Sequence, residues 1–378
     1  MKASVLLDEC RKAGITFFTG VPDSQLKGLC SELYARFGVS SAEHIVAHNE
    51  GGAVALCAGH YLASGRPALC YMQNSGLGNA VNPLTSLMDE NVYGIPCLLV
   101  IGWRGEPGVK DEPQHVRQGA VTPGQLELLG IPYFVLSTDT TDDAFRSAFT
   151  ELCGEMAEGR CAAIIVRKGA LTTDAKPDYS NGYSLTRETA AGVILQNTGA
   201  DDVFVSTTGK LSREIFELRE ARGEKHERDF LTVGSMGHAC MIALRMAEEL
   251  KDRRVWCLDG DGAALMHLGA LPLIAERRPA NLVHVVINNG AHETVGGMPV
   301  CGRHMRISQI AEAAGYPYVF TADTEDGLQD VLNSLPSGGP VMIEVRCACG
   351  ARGDLGRPTT TPKQNRDALM RFIGSKNE

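Results

Sequence analysis

Two short polar motifs carry the clearest chemistry in this chain. Gly260-Asp261-Gly262 follows the apolar run VWCL, and Asn288-Asn289 closes the run LVHVVI, with 25 residues between the motifs. A helix of the type ALMHLGALPLIAE fits in the gap, so the stretch reads as a βαβ unit. Right-handed crossover then sets both motifs at the C-terminal ends of neighbouring parallel strands, facing one site. A carboxylate and an amide oxygen are hard donors suited to Mg²⁺, which takes few protein ligands and fills its octahedron with phosphate oxygens and water. The glycines let a phosphate approach the backbone, and Ala263 begins a helix whose first amides face an anion. The chemistry implied is a diphosphate clamped by a metal.

Other polar residues sit where a second half of such a site would be. Glu50 stands between the run HIVA and a small-residue helix, HNEGGAVALCAGHYLASG. Asp23 and Ser24 follow the first strand in GVPDS. The segment Gly102 to Gly124, GWRGEPGVKDEPQHVRQGAVTPG, has five glycines, three prolines and no periodicity, so it is expected to be a long ligand-facing loop bearing Arg104, Lys110 and His115. Guanidinium forks and ammonium groups, Arg357 among them, suit an oxyanion. GKLS at 209 to 212 lacks the earlier glycine of a P-loop, because Phe204 occupies that place. The GKLS turn is expected beside substrate or diphosphate, and an ATPase is not.

The elements that must position these residues follow from the rhythm of the chain. Short β-branched runs recur near 15, 44, 68, 97, 133 and 162, and again near 203, 230, 255, 282, 318 and 341, with helical lengths between most of them. That alternation predicts α/β architecture: two doubly wound parallel-sheet domains with helices on both faces. GALTTDAKPDYSNGYS lacks apolar periodicity and is taken as a linker at 171–186, giving domains over 1–170 and 187–378. At 378 residues, with 44% hydrophobic and 21% charged positions, the composition is that of a folded chain and not a disordered one. A net charge of -9 without a basic block opposes nucleic acid and anionic lipid as partners. The longest apolar run, Ile95 to Ile101, is far short of the roughly 20 residues of a membrane span, and Asp8, Glu9, Arg11 and Lys12 interrupt any leader-like run, so a cytoplasmic setting is expected. Twelve cysteines occur without a CxxC pair; Cys240 and Cys257 are among those taken as small buried hydrophobes, and neither disulfide nor zinc is assigned.

The GDG…NN pattern resembles that of the thiamine diphosphate enzymes. The resemblance implies two domains of the thiamine diphosphate-binding fold, one binding the pyrimidine and one the diphosphate, with no central third domain. It implies metal ligands at Asp261, Asn289 and the Ala291 carbonyl. It places Met236, in VGSMGHA, beneath the cofactor as the residue forcing a V shape. Gly234 and Ser235 stand beside the aminopyrimidine, and Gly260, Gly262 and Ala263 along the diphosphate. Glu50 matches the family's glutamate, whose shared proton stabilises the imino tautomer of the cofactor.

FFTGVPDSQLKGLC, YMQNSGLGNAVNPLTSL, GWRGEPGVKDEPQH, TTGKLSRE and DLGRPTTTP are similar to segments of the phosphonopyruvate decarboxylase family. That likeness implies non-oxidative loss of CO₂ from 3-phosphonopyruvate, giving phosphonoacetaldehyde, in phosphonate biosynthesis of the 2-aminoethylphosphonate type. It implies Asp23 as an acid-base group, with Ser24 beside it toward the substrate; His115 and His292 are candidate proton relays, and Arg104, Lys110 and Arg357 are candidates to neutralise the phosphonate. Active sites would be completed between subunits of a homodimer or higher homo-oligomer. Glu293, Thr294 and Met298, in HETVGGMP, depart from the family pattern. The alternatives are a sulfopyruvate decarboxylase and a catalytically silent cofactor-binding subunit.

Overall fold

A computed structural model describes residues 1–176 and 179–374. The chain divides into two compact units, Met1–Asp178 with Val295–Cys301, and Tyr179–Thr294 with Gly302–Glu378. The first holds strands β1 (Phe18–Gly20), β2 (His44–Val46), β3 (Ala68–Gln73), β4 (Cys97–Gly102), β5 (Tyr133–Leu136) and β6 (Ala162–Val166). The second holds β7 (Val203–Ser206), β8 (Asp229–Leu231), β9 (Val255–Gly260) and β10 (Leu282–Asn288). Two-residue strands β11 (Ala291–His292) and β12 (Met298–Pro299) follow, then β13 (Tyr318–Ala322) and β14 (Val341–Arg346).

Each unit contains one six-stranded parallel sheet, ordered β2-β1-β3-β4-β6-β5 in the first and β8-β7-β9-β10-β14-β13 in the second. The two orders are the same when the six strands of each sheet are counted in chain order, so the sheets repeat one topology. The expected α/β architecture, with a doubly wound parallel sheet in each half, is what the described residues adopt. Alternation along the strands feeds a core on each face. Leu98 and Val100 of β4 pack with Leu6, Phe18 and Phe145, whereas Leu99 and Ile101 pack with Val54, Leu77 and Leu126. In β9, Trp256 and Leu258 face one core, and Val255 and Cys257 the other. Among the described residues no helix is long and apolar enough to cross a membrane.

The stretch expected as a linker is anchored at both ends. Leu171 packs in the first unit, where Thr172 bonds with Met1 and Ala3, and Leu185 packs in the second. Pro177 and Asp178, inside that stretch, lie outside the described residues. Gly102 to Gly124 is not one long loop. It turns at Trp103 to Glu112 and then forms the helix Pro113–Leu128, with Pro113 at the first helical position, where a missing N–H costs nothing. Pro123 leaves the carbonyl of Gly119 without its helical partner, and the indole N–H of Trp103 donates to that oxygen at 2.9 Å. A tertiary hydrogen bond thus rescues a helix that its Gly and Pro content hides.

Candidate active site

The GDG and NN motifs lie at the ends of adjacent strands, where Ile287 of β10 pairs with Gly260 of β9. Asp261 opens the short helix Asp261–Met266 and is nearly fully buried. Its Oδ1 accepts from the Gly262 N–H at 2.8 Å and its Oδ2 from the Gly290 N–H at 2.7 Å, so the two motifs are tied directly together. Asn289 is equally buried, and its Oδ1 accepts from the Ala291 N–H at 3.0 Å. Burial pushes the Asp261 carboxyl up to about 7, against the pull of its amide donors. A buried carboxylate short of positive charge, beside an amide oxygen, is a donor set that a divalent cation completes.

The rest of the second unit's site gathers at the same strand ends. After β8 the chain turns through Gly234 at φ 75° and Ser235 at φ 46°, and the Gly234 N–H donates to Thr208 Oγ1 at 3.1 Å. This turn presents Met236, whose Cε, together with Nδ1 of His292, crowds the place a methyl on Gly262 would take: the distances from such a methyl are 3.4 and 3.2 Å, at or inside van der Waals contact. Met236, Gly262 and His292 therefore line one cradle. Burial lowers the His292 imidazole to about 4, so the ring is neutral at pH 7.

Residues that the sequence reading did not single out as ligands bind this corner together. Glu293 accepts from the Gly350 N–H at 2.7 Å and from Asn289 Nδ2 at 3.3 Å, and it faces Lys210 Nζ at 3.5 Å. The GKLS turn thus stands beside Glu293, and Thr294 Oγ1 lies against Gly209. The only signal in the sequence was the pair of unusual residues in HETVGG.

In the first unit, Glu50 begins the helix Glu50–Ser64, capped by Asn49, whose side chain accepts from the Gly52 N–H at 2.7 Å. Glu50 is 5% exposed, and its Oε2 accepts from Asn79 Nδ2 at 2.8 Å. Gly76 leaves the room that the carboxylate fills: a methyl there would stand 2.5 Å from Glu50 Cγ. Asp23, fully buried after β1, accepts from Gln73 Nε2 at 2.5 Å and from the Gln25 N–H at 2.9 Å. Burial raises its pKa in spite of those bonds and of the nearby Arg104.

The substrate-side residues divide. Arg104 does not present an open fork: Nε and Nη2 bind Asp111 at 2.8 and 2.5 Å, and Nη1 donates to Ser24 Oγ at 2.9 Å. Its backbone is clamped by Asn74, whose Nδ2 donates to the Arg104 carbonyl at 2.8 Å. His115 is buried at the start of its helix, and burial, aided by the Arg104 charge, lowers it to about 4. Lys110 and Arg357 are exposed. Asn74, Gln73, Asn79 and Asp111 were not picked out from the sequence, although polar residues ending a buried strand, as in YMQN, are a usable sign.

Residues 2–126 match the thiamine pyrophosphate enzyme N-terminal TPP binding domain, and residues 207–345 match the C-terminal TPP binding domain. The chain is 34% identical to phosphonopyruvate decarboxylase of Streptomyces viridochromogenes, the match covering 95% of this chain and 92% of that one. The chain belongs to the phosphonopyruvate decarboxylase family of thiamine pyrophosphate enzymes. Phosphonopyruvate decarboxylase of Streptomyces hygroscopicus is 33% identical over 96% of this chain and 92% of its own length. Sulfopyruvate decarboxylase of Methanosarcina acetivorans is 27% identical, with 85% of each chain covered. As a family member the chain is a carboxy-lyase, a thiamine diphosphate-dependent decarboxylase of the phosphonopyruvate and sulfopyruvate type.

Proposed function

We propose that the chain decarboxylates 3-phosphonopyruvate to phosphonoacetaldehyde and CO₂, with thiamine diphosphate and Mg²⁺, in phosphonate biosynthesis of the 2-aminoethylphosphonate type. The observation that carries the cofactor assignment is the bonding of Asp261 to the Gly290 N–H beside Asn289, at adjacent strand ends. The substrate assignment is supported by likeness, over nearly the whole chain, to two phosphonopyruvate decarboxylases.

When bound, thiamine diphosphate supplies a carbanion nucleophile and a sink for the electrons that the departing carboxylate leaves behind. The chain's own residues hold it and move protons. Asp261, Asn289 Oδ1 and the Ala291 carbonyl hold the metal; Gly262, whose N–H is given to Asp261, lets the diphosphate approach the backbone, and the Ala263 amide faces it at a helix start. Gly260 precedes them at the end of β9. The Gly234–Met236 turn orients the aminopyrimidine, with Ser235 at its apex. Glu50 shares a proton with the pyrimidine nitrogen from a buried position, which Asn79 fixes. Asp23, whose raised pKa favours the protonated form, is the acid that returns a proton to the product carbon. His115 and His292, neutral at pH 7, accept or relay protons. Arg104 meets the substrate's anionic end as one member of an ion pair with Asp111, backed by Ser24, so substrate binding redistributes an existing pair. Lys110 and Arg357 add positive charge at the surface. The smallest active assembly is a homodimer, in which the pyrimidine-binding unit of one copy serves the diphosphate-binding unit of another.

A sulfopyruvate decarboxylase is the second reading, favoured by the 85% coverage of the Methanosarcina acetivorans relative. The test is CO₂ release from phosphonopyruvate, sulfopyruvate and pyruvate, each with and without thiamine diphosphate and Mg²⁺, compared as kcat/KM. The highest ratio for phosphonopyruvate supports the proposal. A higher ratio for sulfopyruvate overturns the substrate and keeps the chemistry, and no release from any of them overturns both.

A further inference from the structure

Three side chains converge inside the second unit, away from the cradle just described. Alternation along β9 turns Val255, Cys257 and Asp259 to one face of the sheet, the face covered by the helix Ala239–Glu249. His284 of β10 stands in register with Cys257, which puts its imidazole on the same face. Cys257 Sγ, an Asp259 carboxylate oxygen and a His284 ring nitrogen all lie within 4.8 Å of one another, and all three residues are fully buried. His284 Nε2 and Asp259 Oδ2 are 3.6 Å apart, too far for a hydrogen bond, and neither atom has any other partner. The remaining atoms are occupied: Asp259 Oδ1 accepts from the Gly260 N–H at 2.9 Å, and His284 Nδ1 meets the Tyr316 hydroxyl at 3.3 Å.

We propose that Cys257, Asp259 and His284 form a site for a divalent transition-metal ion with the ligand preferences of Zn²⁺, separate from the metal that holds the diphosphate. Buried polar atoms in folded proteins have partners, and here two orphaned atoms point at each other and at a thiol. The donor set is sulfur, oxygen and nitrogen, which suits zinc and not magnesium, whose ligands are oxygens. A thiolate, a carboxylate and a neutral imidazole together balance a 2+ ion, so the filled site is neutral in a dry interior. In the filled site the Tyr316 hydroxyl would accept from Nδ1–H, leaving Nε2 to the metal, the outer-shell arrangement common to histidine ligands. The fourth tetrahedral position falls to water or to Cys240, which packs in the same cluster. Binding replaces the Cys257 thiol proton, which passes to solvent, and changes no oxidation state. With all three ligands fully buried, the ion enters as the chain folds. The filled site fastens β9 to β10 just below Asp261 and Asn289.

The experiment uses the full chain, produced in medium supplemented with zinc and, separately, with cobalt, then dialysed against thiamine diphosphate and Mg²⁺. Elemental analysis is expected to find about one zinc per chain. The cobalt form is expected to show a thiolate-to-metal charge-transfer band in the near ultraviolet, which Cys257→Ser abolishes. Asp261→Asn and Cys349→Ser, the latter altering a thiol that donates to the Asn289 carbonyl at 3.2 Å, are expected to keep the band. Absence of retained zinc and of the band in the unaltered chain overturns the proposal, and so does a band that survives in Cys257→Ser. Should Cys257→Ser not fold, the metal count and spectrum of the unaltered chain decide alone. None of these readouts depends on turnover.

Discussion

Replacing Gly76 by alanine tests the role of Glu50 without touching Glu50. Gly76 has φ -72° and ψ -18°, which any residue adopts, so the backbone offers no objection. The new methyl would stand 2.5 Å from Glu50 Cγ, 2.6 Å from Oε1 and 2.7 Å from Cδ, whereas carbon atoms rest at roughly 3.5 to 4 Å. The carboxylate must therefore withdraw by about 1 Å and give up the 2.8 Å bond from Asn79. A hydrogen bond to a charged group contributes about 1.5–3 kcal/mol, and a misplacement of about 1 Å at a reacting group costs about a hundred-fold in rate. The expected result is kcat/KM for CO₂ release down roughly a hundred-fold, with stability lowered by no more than about 3 kcal/mol in urea titration. Gly78→Ala is the matched control: nothing lies within 4 Å of its added methyl, and in a helix that change raises stability by up to about 1 kcal/mol with activity intact. Unchanged turnover in Gly76→Ala would refute the placement of Glu50 at the reacting centre.

Glu50→Gln keeps the shape and removes the proton site, so turnover should fall roughly a hundred- to ten-thousand-fold while calorimetry finds thiamine diphosphate affinity little changed. Asn289→Ala removes one oxygen of the proposed metal site and strands the Ala291 N–H. The Mg²⁺ concentration for half-maximal activity should rise at least about ten-fold, and an unshifted curve would remove Asn289 from the ligand set. Stability should depend on pH through His44, fully buried between the Gly38 carbonyl and the Tyr71 hydroxyl, where burial lowers its pKa from 6.5 to about 4. Between those values the unfolded chain takes up a proton that the folded chain refuses, so stability is lost as pH falls from 6.5 toward 4, by up to about 3 kcal/mol. His44→Gln should reduce the slope of unfolding free energy against pH in that window, with His115 and His292 keeping their own share.

The motifs GDG and NN were legible because each is local and each ends an apolar run, which is where parallel sheets put their ligands. Glu50 was legible for the same reason, lying at the junction of HIVA with a helix. Strand order was not, since β8 beside β7 and β14 between β10 and β13 are set by long-range packing that no window of sequence contains. Nor was the pairing of Arg104 with Asp111, seven positions on in a stretch without periodicity, which turns an apparent open fork into a closed ion pair. Asn79 and Glu293 act through partners distant in sequence, and only the folded chain brings those partners near.

Backbone meets backbone where the turn after β4 crosses the helix Pro113–Leu128: side chains on Gly105 and Gly119 would collide with the carbonyls of His115 and Gly105. With Trp103 pinned to the Gly119 carbonyl and Gln118 holding the Asn74 carbonyl at 2.8 Å, the segment carrying Arg104 has almost no slack. A stretch rich in glycine and proline would ordinarily supply a flap that opens and shuts over a ligand. Here the same residues make a rigid bracket, because glycine permits contact too close for any slippage and proline hands its helix carbonyl to an indole. The place of the Arg104 backbone is thus set when the chain folds, and the freedom left to its guanidinium is that of side-chain torsions, motions of picoseconds to nanoseconds.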